Sequence, residues 1–264
     1  CAQYKSLTSV DIPYGVTEIG EGAFCECKNL RRIRLPNTLT KIGEYAFDTC
    51  TQLTDLKIPE SVTEIGSYAF QFCIRLTSVT IPKNIKTIDS EAFYMCYNLV
   101  EVINNGKLDV VKGSEDNGYV GYYALNVKKG GKSDVVKKDG YSFYSYDNTN
   151  YLLCHDGGNT TINLPENYGG QTYKIHDYAF SCCDELTTVI IPDSVIEIGD
   201  NAFSWCENLS RVSIGSGVTL IGNEIFDGSQ VLKEILVDED NAAYTVDCGI
   251  LYDKQKTTII YVPY

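Results

Sequence analysis

The chain carries a leucine every 23 residues, at Leu7, Leu30, Leu53, Leu76 and Leu99, and the same step resumes at Leu186, Leu209 and Leu232. A fixed short period constrains the architecture before any local pattern is read, because equal segments that each bury one face must stack on copies of themselves. The other apolar positions recur with the leucines. The first unit continues through Val10, Ile12, Val16, Ile19, Ala23, Phe24 and Cys27, and the second through Ile33, Leu35, Leu39, Ile42, Ala46, Phe47 and Cys50. The third and fourth copies keep the same offsets as far as Cys73 and Cys96. One unit has too few apolar side chains to offset the entropy of ordering it, so its neighbours must supply the rest.

Within a unit, the step Val10-x-Ile12 alternates with period two, as a strand with one buried face does. Proline follows at Pro13, Pro36, Pro59, Pro82 and Pro192. It offers no amide hydrogen to a ladder, so it marks the end of each strand. A second short segment, such as Val16 to Ile19, leads to Gly20, Gly43, Gly66 or Gly199, read as permitting a tight bend. The Phe24-to-Cys27 spacing of i to i+3 predicts a single helical or 3-10 turn.

The pattern L-x-x-V-x-I resembles the leucine-rich repeat. The added proline, I-G and A-F-x-x-C steps make the chain similar to the BspA-like branch of bacterial surface proteins. That resemblance implies an α/β, right-handed leucine-rich-repeat solenoid of mostly short parallel strands, with a hairpin-containing irregular middle. Where many such repeats place an asparagine ladder, this chain has Gly15, Thr38, Ser61, Asn84, Ser194 and Gly217, which puts the asparagine-bonded turn in question.

The whole of 1–264 reads as one array: regular repeats over 7–98, irregular ones over 99–185, regular ones over 186–231, and a terminal repeat with hairpin over 232–264. Val120, Gly121, Ala124 and Leu125 share the relative spacing of Ile19, Gly20, Ala23 and Phe24, so residues 99–126 are taken as one enlarged unit. Asp139-Gly140 signals a turn, and 141–146 and 151–154 read as strands across a turn at 147–150. A second hairpin, at 249–252 and 258–261, is a candidate cap for core and strand edges left open at an array's end.

A net charge of −13 argues against nucleic-acid or anionic-membrane partners. No apolar run nears the roughly 20 residues of a transmembrane helix. Secretion or the cell surface is the expected location, with any signal peptide upstream of Cys1. That residue is read either as a lipidated mature terminus or, more plainly, as a cut within a cysteine-bearing repeat. The chain has eleven cysteines. Cys27, Cys50, Cys73, Cys96, Cys183 and Cys206 share one offset, predicting a column of parallel inward thiols rather than disulfides. Strands lie about 4.8 Å apart, whereas bridged Cβ atoms sit about 3.8 Å apart. The thiols then serve as small core hydrophobes.

Little suggests catalysis. His155 and His176 are the two histidines, and in Cys154-His155-Asp156 adjacent strand residues point to opposite faces, so they cannot form a relay. No phosphate loop, zinc spacing or calcium loop is present, and no cofactor or metal is expected. Two surfaces remain as candidates. One is the outward strand face, including Arg32, Arg34, Asp55 and Lys57, with Arg32 opposite Asp55. The other is the tyrosine-rich middle, including Tyr119, Tyr122, Tyr123, Tyr141, Tyr144 and Tyr146, whose rings suit either interfaces or packing. The family resemblance implies a protein ligand on a host or bacterial surface, hence adhesion. A glycan-binding module using the tyrosines and a structural spacer of a larger surface protein are the alternatives.

Overall fold

In the computed structural model residues 6–263 are described, and the chain divides into two compact units that meet in sequence at Val135 and Val136. Cys1 lies outside the described residues. In the first unit, Ser9–Asp11, Arg32–Arg34 and Asp55–Leu56 form one parallel ladder, and Ser78–Ile81, Glu101–Asn104 and Asn126–Lys128 another. A third ladder joins Glu18–Ile19, Lys41–Ile42, Glu64–Ile65 and Thr87–Ile88. The register pairs Ser9 with Arg32, Arg32 with Asp55 and Glu18 with Lys41, so one sequence repeat is one coil. Each proline carbonyl accepts the amide three residues on, as in Leu39 N to Pro36 O at 3.0 Å, turning the chain from one ladder to the next.

The expected helical turn does not form: among the described residues there is no helix of any kind, and the fold is a β-solenoid rather than α/β. The reason lies in where alternate amides go. Ala46, Asp48 and Cys50 donate to Gly43, Tyr45 and Phe47, closing three linked turns. Tyr45, Phe47 and Thr49, between them, donate to Ser67, Ala69 and Gln71 of the following coil. A helix would take both sets for itself. The linkage holds Tyr45 and Thr49 at φ of 52° and 59°, the left-handed value that the third residue of a type II turn requires. Gly22 and Gly228 fill the same two columns without that strain.

Stacking is visible in the rings. Phe24, Phe47, Phe70 and Phe93 form a column with centroids 5.2, 5.2 and 5.1 Å apart. Beside them, three buried thiols donate to the phenylalanine carbonyl of the coil before: Cys50 to Phe24 at 3.2 Å, Cys73 to Phe47 at 3.4 Å and Cys96 to Phe70 at 3.1 Å. All described cysteines are free thiols. In the second unit Cys206 donates to Phe180, and Ser229, one period on, does the same to Phe203 with its hydroxyl at 2.9 Å. The ladder in question at the asparagine offset is also partly built. Thr38 donates to Val16 O at 2.8 Å, and Asn84 to Glu60 O at 2.7 Å.

The glycines of the I-G step serve a different purpose from the one expected. Gly43 and Gly66 do not adopt the left-handed region. A Cβ at Gly43 would lie 2.7 Å from Ile19 O, and one at Gly66 would lie 2.7 Å from Glu44 N. Glycine is there so that coils can close on one another. Gly20, with no described coil before it, would meet nothing within 4 Å.

The enlarged coil is confirmed in existence but shifted in register. Asn126 pairs with Glu101, and Phe93 N donates to Gly118 O where Phe70 N reaches Ala92 O. Gly118, not Ala124, therefore occupies the alanine column. Its missing Cβ would sit 2.8 Å from that of Ala92.

In the second unit Val136–Lys138, Tyr141–Tyr146 and Thr149–His155 run antiparallel, joined by turns at Asp139-Gly140 and Asp147-Asn148, all with positive φ. Both are two-residue turns whose twist matches the strands. Thr149–His155 then pairs in parallel with Tyr173–Ile175, and that ladder continues through Val195–Ile198 and Leu220–Ile221. The other ladder joins Thr161–Asn163, Thr188–Ile191, Arg211–Ile214 and Glu234–Val237. Phe180, Phe203 and Phe226 form its ring column. The C-terminal hairpin gains a third strand, Tyr244–Asp247, and sits at the end of that column. Tyr261 packs edge-on against Phe226 at 5.1 Å, and Tyr244 Oη accepts from Ile221 N.

Candidate binding surfaces

On the first unit the alternation of Arg32–Arg34 turns Ile33 inward and both arginines outward. Arg32, Arg34 and Lys57 line a groove of about 370 Å³ with Leu35, Asn37 and Pro59. Arg34 stands 3.8 Å from Asp11, and both side chains are more than two-thirds exposed, so the pair contributes little to stability. The backbones of Arg32 and Asp55 are in register as expected, and the Asp55 side chain lies outside the described residues.

The same outward column changes character at Glu101, which is fully buried. Residues 129–135 fold over it. Ser133 Oγ donates to its carboxylate at 2.6 Å, Asp134 N at 3.0 Å and Lys128 Nζ at 2.8 Å. Lys128 also reaches Asp134, whose carboxyl it holds below the usual carboxylate range. The regular polar ladder is thus strapped at one end by the insertion. Glu101 shares the outward offset of Ser9, Arg32 and Ser78 in register, and that offset alone gives no sign of the cover.

On the second unit one outward column reads Thr161, Thr188, Arg211, Glu234, with Arg211 3.5 Å from Glu234. Its neighbour reads Asn163, Ile190, Ser213, Leu236. Ile190 and Leu236 are 44% and 40% exposed and, with Ser213, line a groove of about 520 Å³. Neither Ile190 nor Leu236 is among the outward residues singled out from the sequence. The signal was available, since both break the alternation by placing an aliphatic residue at an outward offset.

The tyrosines are divided between the two units. Tyr119, Tyr122 and Tyr123 belong to the first unit, where with Tyr94 and Tyr97 they form edge-packed pairs at 4.9 to 5.2 Å. Tyr122 is the most exposed of the three, at 40%. Burial raises the Tyr123 hydroxyl above its ordinary pKa. Tyr141, Tyr144 and Tyr146 belong to the second unit. Tyr141 and Tyr144 are buried, Tyr141 donating to Asn163 O and resting on His155 at 4.7 Å. Tyr146 is half-buried beside Tyr144.

Cys154 and His155 are both buried at the end of Thr149–His155, and His155 Nδ1 accepts from Gly157 N at 3.1 Å. That contact closes the turn after the strand. His176, at the glycine column, lies edge-on to Tyr151, and burial depresses its pKa. Among the described residues no group of three or more His, Cys, Asp or Glu side chains is placed to hold a metal ion, and no helix is long and apolar enough to cross a membrane.

Comparison with known proteins supplies the family. The model for the BspA type leucine-rich repeat region matches residues 1–114 and 141–252 in six copies. Solved structures are distant. A leucine-rich repeat protein of T. pallidum is 23% identical over 85% of this chain and 78% of that one, with a TM-score of 0.36. A leucine-rich cell surface protein of Faecalibacterium prausnitzii is 22% identical over 86% and 81%, with 0.35. The pneumococcal vaccine antigen PcpA is 16% identical over 89% of this chain and 63% of that one, also with 0.35. No curated protein sequence matches. On the family match, which covers well over half of its length, this chain belongs to the BspA-type leucine-rich repeat proteins.

Proposed function

We propose that the chain is a non-enzymatic protein of the bacterial cell surface or its secreted fraction, which binds protein partners through its strand faces in adhesion to host or other cells. The observation that carries the reading is the first-unit groove. There Arg32, Arg34 and Lys57 project side by side from adjacent coils of a rigid ladder, in a chain whose net charge is −13. Three cations held at strand spacing suit an acidic protein segment, because charged hydrogen bonds to carboxylates are strong when the donors need no reordering. The cell-surface description of the Faecalibacterium prausnitzii protein agrees with the proposed location.

The test is capture of the full chain on an array of extracellular-matrix and bacterial surface proteins. Saturable binding should appear, and the triple variant Arg32→Ala, Arg34→Ala, Lys57→Ala should weaken it by roughly tenfold or more. An array without saturable binding, or one that the triple variant binds as well as wild type, would overturn the reading. Glycan binding through the tyrosines is less favoured, because Tyr141 and Tyr144 have no open ring face.

A further inference from the structure

Outward strand positions on a polar face carry side chains that water can hydrate. In the second unit one column departs from that rule twice, at Ile190 and Leu236, with the small Ser213 between them on the intervening strand. The two aliphatic residues are two strands apart, about 9.6 Å at ordinary strand spacing. Ser213 thus floors a notch with an aliphatic wall on each side. The notch is part of the groove of about 520 Å³, and the groove has a second feature. Where the chain leaves these strands, its lining includes the exposed carboxylates of Glu166, Asp193 and Asp238.

Each of the two aspartates has an oxygen already used. Asp193 Oδ1 accepts from Ser216 N at 2.7 Å, and Asp238 Oδ1 accepts from Asp240 N at 2.9 Å. Those bonds fix both side chains in place while leaving the second oxygens as acceptors. Gly215 lets its coil close on the one before beside Asp193: a Cβ there would lie 2.7 Å from both Asp193 Oδ1 and Pro192 C.

An apolar slot ending at carboxylates matches one kind of side chain. Lysine and arginine have a long aliphatic stem and a cationic head, and they bury the stem along apolar surface while the head seeks charge. We propose that this slot receives a lysine or arginine side chain from a protein partner, its stem over Ser213 between Ile190 and Leu236 and its head against Asp193, Asp238 and Glu166. The inference deepens the protein-binding reading above and rests on it. It adds a second recognition point, opposite in sign to the first-unit groove. A purely apolar anchor fits less well, since it would leave three carboxylates facing it without gain.

The experiment uses the full chain and a capped pentapeptide with one central lysine flanked by serine and glycine, followed by backbone amide NMR. A single side chain binds weakly, on the order of millimolar. The lysine peptide should shift the amides of Ile190, Ser213 and Leu236 with saturation. Replacing lysine by norleucine, which keeps the stem and loses the charge, should weaken binding roughly tenfold. Ser213→Leu should fill the notch and abolish the shifts, and Asp193→Asn with Asp238→Asn should weaken them while keeping the bonds from Ser216 N and Asp240 N. Absence of shifts at these amides, or equal affinity for the norleucine peptide, would overturn the proposal, and the norleucine comparison needs no variant to fold. If the slot fails while the Arg32, Arg34 and Lys57 triple variant still weakens protein capture, only the slot is lost.

Discussion

Gly66→Ala and Gly20→Ala are the same substitution at the same repeat offset, and they should differ sharply. At Gly66 the added Cβ would sit 2.7 Å from Glu44 N, 2.9 Å from Gly43 C and 3.1 Å from Glu44 Cα. All three are backbone atoms, so no rotamer change relieves the contact. Moving them out to ordinary van der Waals distance requires a local separation of roughly 0.7 Å. That movement strains the bond from Gly66 N to Ile42 O, now 2.9 Å, and works against the Phe47 and Phe70 rings stacked at 5.2 Å. Overpacking of this kind costs about 1–3 kcal/mol, and weakening a buried backbone bond adds about 1 kcal/mol. Gly66→Ala should therefore lose about 2–4 kcal/mol. Gly20→Ala meets nothing within 4 Å and has no left-handed φ to preserve. It should be neutral or stabilising by up to about 1 kcal/mol, through reduced freedom of the unfolded chain. Urea unfolding followed by far-UV circular dichroism reads both. Equal effects of the two substitutions, or a neutral Gly66→Ala, would refute close approach between coils as the reason for these glycines.

Three further outcomes can be checked directly. Thiol titration of the native chain should label exposed Cys248 first, with Cys50, Cys73, Cys96 and Cys206 reacting only in denaturant, because burial raises each of them far from the thiolate; native-state labelling of the column would contradict this. His176 has a folded pKa below its unfolded value of about 6.5, because burial disfavours the imidazolium. Its contribution is therefore complete above that value and is lost as pH falls through it. Wild type should lose more stability between pH 7.5 and 5 than His176→Gln does, and identical pH profiles would count against the assignment. Glu101→Ala removes the acceptor that holds residues 129–135, so trypsin should cleave at Lys129 and Lys132 faster than in wild type. Unchanged cleavage would mean that the strap is held by something else.

What the sequence revealed and concealed follows from the range of the forces involved. The coil length, the strand-proline step and the inward columns were legible, because each depends on side-chain periodicity along one coil. Whether the A-F-x-x-C segment becomes a helix was not, because Phe47-to-Cys50 spacing suits a helix and linked turns alike. Bonds to residues 22 positions ahead decide it. The glycine column misled for the same reason: Gly66 answers to the coil before it, not to its own φ. In the enlarged coil the alanine column is held by a glycine, so matching by residue type chose Ala124 and missed Gly118. For the surfaces, alternation placed Arg32, Arg34 and Lys57 outward. Of the tyrosines in that run, Tyr141 and Tyr144 are buried in an antiparallel hairpin, which their spacing in sequence did not reveal. Glu101 shows the limit most plainly, since an outward offset cannot reveal a loop that later folds across it.

The amide of Phe47 tests the stacked-coil account most directly. Its hydrogen-bond partner can be identified from the scalar coupling transmitted across the bond to a carbonyl carbon. Coupling to Ala69, one coil ahead, is the predicted result. Coupling to Gly43 or Glu44 within its own coil would show a helical turn and contradict the account.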